Sequence, residues 1–217
     1  MTSQTSRDKT AMAVSVFDKA AQVYQEKYMD VSAYAESLNL FSSELPKKGT
    51  VLELACGPGN VTRYLMEKRS DLQVLATDLA PSMLKLARTN VPDVQFDLLD
   101  CRAIGQLEEV FDGILCAFGF PYLSKEEALQ FIADATNRLN KNGLLYISTM
   151  EDDYSKSRWM TSKTEKTEAL FMHYHEAEYL VPALEMNGFK LLHVGLVPLP
   201  VPDGNVQDLV LVARKVE

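Results

Sequence analysis

Apolar residues fall into two kinds of run along this chain of 217 residues. Ahead of residue 49 they recur at helical spacing, with Val14, Phe17, Ala21, Tyr24 and Tyr28 marking one face of a helix predicted over residues 11–29. Asp30 is placed to cap a second helix through VSAYAESLNLFSSEL, which stops before Pro46. The first ten or so residues read as a frayed tail. After Gly49 the pattern changes to short runs that are apolar throughout: TVLELA, LQVLAT, VQFDLL, DGILCAF and LLYISTM. Helical stretches separate them. One carries a capping box from Ser124 to Glu127, a single apolar face (Ala128, Phe131, Ile132, Ala135, Leu139), and Asn142-Gly143 to close it. Strands without alternation, spaced by helices, predict a parallel sheet covered on both faces.

The later residues follow another rule. A helix through HEAEYLVPALEMNG, interrupted by Pro182, leads to FKLLHVGLV, then the turn-rich PLPVPDGN and a last strand, DLVLVAR. Two strands joined by a short loop without a helix should be antiparallel, so one strand at or near the sheet edge is reversed. The stretch 151–167 has no clean period and reads as a long loop, of the kind that often carries function.

Composition narrows the class. A formal net charge of −8 argues against a nucleic-acid groove, and the three cysteines (Cys56, Cys101, Cys116) stand apart without a CxxC pair. That pattern argues against a disulfide framework and a metal site, and fits a reducing, cytoplasmic compartment. No apolar run reaches the roughly 20 residues of a membrane span.

The chemistry gathers at the predicted strand ends, where parallel sheets bind ligands. VLELACGPGN finishes an apolar strand on Glu53 and then gives up side chains at Gly57 and Gly59, letting a ligand approach the backbone beside a helix N-terminus. Asp78 ends the next strand about twenty residues on, a spacing at which an acid reaches ribose hydroxyls; it serves equally as a helix cap before Pro81. Asp100-Cys101 ends VQFDLLDC. CAFGFPY breaks its backbone at Gly119 and Pro121 among aromatic rings.

In that order, VLELACGPGN, VLATDLAPSML and FDLLDC resemble the successive motifs of class I S-adenosylmethionine-dependent methyltransferases. The likeness runs from Phe17 to Arg214 and is nearest to small-molecule enzymes of the type 11 and ubiquinone/menaquinone-biosynthesis kind. Ala55 stands where most members carry glycine. The resemblance implies a Rossmann-like α/β fold with a mostly parallel seven-stranded sheet, one antiparallel strand and helices on both faces. It implies an N-terminal helical lid over residues 1–48 ahead of a cofactor domain over residues 49–217.

It also implies roles. Glu53 would face the methionine ammonium of S-adenosyl-L-methionine, with the turn from Ala55 through Cys56 and Gly57 to Gly59 beneath the methionine and ribose. Asp78 would hold the ribose, Leu79 and Met83 the adenine face, and Asp100 with Cys101 the adenine edge. The backbone at Cys116 and Ala117 would complete the ammonium site, and Tyr24 and Tyr28 would close over the cofactor. S-adenosyl-L-homocysteine would be the product.

For the acceptor, a small molecule, the expected wall is Phe118, Phe120, Tyr122, Tyr154 and Trp159. His173 and His175 are candidate general bases, as histidine titrates near neutrality, with Tyr28 a further catalytic candidate. No D/N-P-P-Y motif follows the fourth strand, which weighs against a DNA base-amino enzyme. Two other readings use the same motifs: a non-catalytic S-adenosylmethionine-binding regulator or scaffold, and an NAD-dependent oxidoreductase. The second needs a third small residue where Thr62 stands, and Glu53 would repel its pyrophosphate. A monomer or homodimer is expected.

Overall fold

The computed structural model describes residues 9–161, 169–198 and 206–216. Within them the chain runs α1 (Lys9–Tyr28), α2 (Ala35–Glu44), β1 (Thr50–Leu54), α3 (Asn60–Lys68), β2 (Gln73–Asp78), α4 (Pro81–Asn90), β3 (Gln95–Leu98) and β4 (Phe111–Cys116). It continues through α5 (Lys125–Arg138), β5 (Leu139–Glu151), β6 (Arg158–Thr161), β7 (Ala169–Met172), α6 (Ala177–Met186), β8 (Phe189–Pro198) and β9 (Gln207–Lys215). Seven strands form one sheet in the order β3-β2-β1-β4-β5-β9-β8. All pairings among β1 to β5 are parallel, and β9 runs antiparallel to both β5 and β8. The reversed strand is therefore next to the edge.

The missing alternation in the strands has a direct cause. Val51, Tyr146 and Val212 pack on one side against Phe41 of α2, Leu65 of α3 and Leu84 of α4. Their neighbours Leu52, Leu145 and Leu211 pack on the other against Phe131 of α5 and Leu180 of α6. The central strands are covered on both faces, so most of their positions are apolar. Gly113 shows how tight the first face is. A Cβ there would lie 2.8 Å from the tip of the fully buried Phe41 ring, so α2 rests directly on the backbone of β4.

Several local expectations hold and others shift. The Ser124–Glu127 capping box forms in full and opens α5; such a cap is worth about 1 kcal/mol. That helix ends at Arg138, earlier than Asn142-Gly143 suggests. Asn142, at φ 64°, instead sits in an irregular start to β5, where the register against β4 slips between Phe111 and Gly113. Asp30 accepts the Ser32 N–H at 2.9 Å, heading a single 3-10 turn, Ser32–Tyr34, that feeds α2. The stretch read as a long loop from residue 151 instead folds as a 3-10 turn (Tyr154–Lys156) and β6, which pairs antiparallel with β7. Residues 162–168, most of the PLPVPDGN turn and the expected frayed tail over residues 1–8 lie outside the described residues. No described helix is long and apolar enough to cross a membrane.

Candidate active site

The strand order reverses at β1. From there the chain moves outward to β2 and β3, then returns to place β4 on the other side. The crevice this opens at the carboxyl ends of β1, β2 and β4 holds a cavity. Its floor is Ala55, Gly57, Asp78, Leu79 and Met83; Asp100, Cys101 and Arg102 close one end and Phe118, Gly119 and Tyr122 the other. Its roof is α1, through Ala13, Val14, Phe17 and Tyr24.

Asp78 organises the floor. Its Oδ2 accepts the Gly57 N–H and its Oδ1 the Ala80 N–H, each at 2.8 Å. One side chain thus pins the glycine turn after β1 to the turn that begins α4. Burial raises the Asp78 carboxyl above its usual range, and these backbone N–H groups oppose the rise. Gly57 and Gly59 have φ of 54° and 81°, a region that suits glycine. Ala55 and Phe118 also have positive φ, at 55° and 63°, and both line the cavity. A non-glycine residue there costs on the order of 1–3 kcal/mol, and such strain concentrates at functional sites. The alanine at position 55 therefore occupies a left-handed position that glycine would hold without strain.

Glu53 is 1% exposed and lies just behind the floor, its Oε2 accepting the Thr62 hydroxyl at 2.7 Å. Desolvation pushes its carboxyl up to about 8. The sign follows. A pKa raised on folding gives stability that is complete below the ordinary carboxyl range and is lost as pH rises through about 8. The melting temperature of the ligand-free chain should therefore fall across that interval, and Glu53→Gln should flatten the dependence. An identical slope in the variant would remove Glu53 as its source.

Asp100 does not present a free carboxylate. Both its oxygens accept from Arg102, which also reaches Glu127 at 3.1 Å. Cys101 lines the cavity, whereas Cys56, Cys116 and Ala117 are buried behind it. Gly59 caps α3 beside the cavity rather than in its wall.

The expected acceptor wall divides. Phe118 and Tyr122 line the cavity; Phe120, Tyr154 and Trp159 do not. Phe120 is fully buried against Phe131 on the opposite face of the sheet. Tyr154 stacks on His173 and its hydroxyl accepts the Lys125 N–H. Trp159 is 41% exposed and meets Phe171 across the β6–β7 ribbon. Period-free sequence could not place that ribbon, which carries Trp159 away from the cavity.

The histidines also stand apart from it. His175 is fully buried, and its Nε2–H donates to the Phe120 carbonyl at 2.9 Å, so its Nδ1 accepts from the Tyr179 hydroxyl. Both ring nitrogens are engaged, and burial lowers its pKa to about 4. His173 is buried between Tyr154 and Phe171, with its Nδ1 unpartnered and its pKa lowered by burial. A His175 that stays neutral when folded loses stability as pH falls from about 6.5 to about 4, because the unfolded chain then takes up the proton. His175→Gln should flatten that acid limb in thermal melts and leave any rate profile near neutrality unchanged. A shift of the rate profile would restore it as a base.

Tyr28 is 53% exposed at the end of α1, its ring 4.7 Å from that of Tyr24, and outside the cavity wall. Residues to which sequence reasoning gave no site role are Phe17, Thr62, Arg102, Tyr34 and Asp208. Only Asp208 left a visible signal, an acid opening an otherwise apolar strand.

Residues 51–143 match the protein family described as a methyltransferase domain. The chain resembles this family over that stretch, which is under half of its length. It is 28% identical over 141 residues to the demethylmenaquinone methyltransferase of Thermotoga maritima, covering 62% of this chain and 60% of that protein. The chain overlays the DhpI–SAH complex with a TM-score of 0.74 at 20% identity, over 97% of this chain and 98% of that one. The Burkholderia thailandensis 1,6-didemethyltoxoflavin-N1-methyltransferase, with its substrate and S-adenosylhomocysteine bound, gives a TM-score of 0.70 at 23% identity, over 96% and 89%. The chain spans between half and three fifths of the length of the first curated relatives it matches. The chain has the Rossmann-like fold of these structures, with the one antiparallel strand in place.

Proposed function

We propose that this chain binds S-adenosyl-L-methionine and transfers its methyl group to a small-molecule acceptor. The observation that carries the reading is the Asp78–Gly57 link, which holds a side-chain-free turn open to a cavity roofed by α1. The residues suit the cofactor's chemistry. Asp78 keeps lone pairs for ribose hydroxyls, Leu79 and Met83 offer apolar surface to a flat base, and Glu53 stands ready to ionise beside a cation. When bound, the cofactor supplies a methyl group already activated by its sulfonium. What remains for the protein is to orient the partners and exclude water, which can account for several kcal/mol of the barrier.

Phe118, Tyr122 and the α1 residues Phe17 and Tyr24 form the acceptor side. Formation of S-adenosylhomocysteine in the presence of a panel of small acceptors tests the reading. Binding of S-adenosylhomocysteine without turnover on any acceptor would favour the non-catalytic regulator. A thermal shift with NAD and none with S-adenosylhomocysteine would overturn the cofactor assignment.

A further inference from the structure

The charged groups of the cavity wall stand away from its Phe118–Tyr122 end. Asp78 lies in the floor, and Asp100 and Arg102 close the opposite end, with the Arg102 guanidinium committed to Asp100 and Glu127. At the Phe118–Tyr122 end the wall is made by Phe17 and Tyr24 of α1 with Phe118, Gly119, Tyr122 and Leu123. None of these six carries a charge at neutral pH. Their polar side-chain atoms are two tyrosine hydroxyls, one from the roof and one from the turn Phe120–Tyr122.

Phe17 joins the two tyrosines. Its ring meets Tyr24 edge-on at 5.8 Å and Tyr122 edge-on at 5.1 Å. The Tyr24 ring also passes 3.8 Å from the point where a Cβ on Gly57 would lie, which sets this aromatic cluster against the glycine turn of the floor. Neither hydroxyl has a hydrogen-bond partner among the described residues, and neither is sealed from solvent. Enclosed tyrosines usually find a partner, as Tyr34 does in Asp208 and Tyr146 in Ser37. Burial raises both cavity phenols above their usual range, so they keep their protons and remain donors.

We infer that the acceptor is an aromatic molecule without an anionic group, held by an oxygen or ring-nitrogen lone pair on the Tyr24 and Tyr122 hydroxyls, with its ring against Phe17 and Phe118. The inference rests on the methyl-transfer reading and adds the class of substrate. Neutral hydroxyls supply hydrogen bonds and no counter-charge. An anionic molecule would give up its hydration for a wall whose one described basic side chain, Arg102, is already paired at the far end. Rings set edge-on around an open space favour a flat ligand.

The test uses the full chain saturated with S-adenosylhomocysteine and two probes that share one ring system, 2-naphthol and 2-naphthoate, in equilibrium dialysis at neutral pH. Calorimetry verifies saturation first, and failure there counts against the methyl-transfer reading itself. 2-Naphthol is expected to bind at least about tenfold more tightly than 2-naphthoate.

Tyr24→Phe and Tyr122→Phe should each lose about threefold to tenfold in 2-naphthol affinity, as the removal of one hydrogen bond predicts. Their melting temperatures without ligand should not fall, because neither hydroxyl bonds to the chain. Tyr122→Phe should also bind S-adenosylhomocysteine like wild type. A wild type that binds neither probe, or binds both alike, overturns the inference. So do phenylalanine variants that bind 2-naphthol as wild type does. A Tyr122→Phe chain that loses S-adenosylhomocysteine and keeps 2-naphthol gives that hydroxyl to the cofactor and overturns it as well. Should a variant fail to fold, the wild-type preference between the two probes decides.

Discussion

Removing residues 1–28 is expected to lower turnover on the order of a hundredfold or more while the remaining chain still folds. The two principal core clusters lie elsewhere, reaching back only to Val31 and Tyr34 on one face of the sheet. What α1 contributes is a small apolar patch, Ala21 against Ala80 and Met83, with only Ala13 and Ala21 of its length buried. Beyond that patch and the Phe17–Tyr122 ring contact, several of its attachments are polar. Asp18 accepts the Ser82 N–H at 2.6 Å, Gln25 accepts from Asn90 at 2.7 Å, and the Tyr28 carbonyl accepts from Asn60 at 2.9 Å. The helix is fastened at its rim and apolar over the cavity, as a removable cover must be. Its loss should lower the melting temperature by a few degrees. Loss of alignment and water exclusion is the larger effect, since small misplacements of reacting groups can cost about a hundredfold. Circular dichroism with a turnover assay checks both halves. Full activity in a folded truncation would reduce α1 to packing.

Asp78→Ala should weaken S-adenosylhomocysteine binding about ten- to a hundredfold, as the loss of charge-assisted hydrogen bonds predicts. It should also cost stability in the ligand-free protein. The Gly57 and Ala80 N–H groups both lose their acceptor, and an unsatisfied buried donor costs about 1–3 kcal/mol. The sequence offered two readings of Asp78, ribose ligand and helix-turn anchor, and the geometry makes them compatible. Calorimetry and thermal melts on one sample separate the effects. A melting temperature that falls with an unchanged dissociation constant would leave the anchor alone.

Sheet architecture was legible because its cause is local. Strands covered on both faces are apolar at most positions, and runs such as VLELA show it, with Glu53 as the exception. The reversed strand followed from loop length, and the α5 start from four residues of capping chemistry. The cavity floor was legible too, since backbone freedom at Gly57 and an acid at Asp78 leave marks on the chain itself.

What escaped depends on distance. Tyr34 and Asp208 are 174 positions apart and meet only because β9 inserts beside β5. The aromatic residues were visible by type but not by direction. Phe118 and Phe120 are two positions apart, yet the first lines the cavity and the second is buried against α5. The cause is the turn through Phe118 at φ 63°, which ends the strand alternation that would have set them on one face. The histidines misled because two imidazoles in FMHYHEAEY look alike whether they titrate or brace. His175 has both nitrogens committed to Phe120 and Tyr179.

The place of β9 bears on how the molecule is made. A nascent chain leaves the ribosome with β1 to β4 ahead of β5 to β9, so the cavity floor has all its residues before β5 emerges. β8 has no partner in the sheet except β9. Until residues 207–215 emerge, β5 is an open edge, β8 is unpaired, and Asp208 does not yet stand opposite Tyr34. A half-made chain can therefore hold every residue of the cavity floor before the sheet is closed. β9, inserted between β5 and β8, is what joins the two into one sheet.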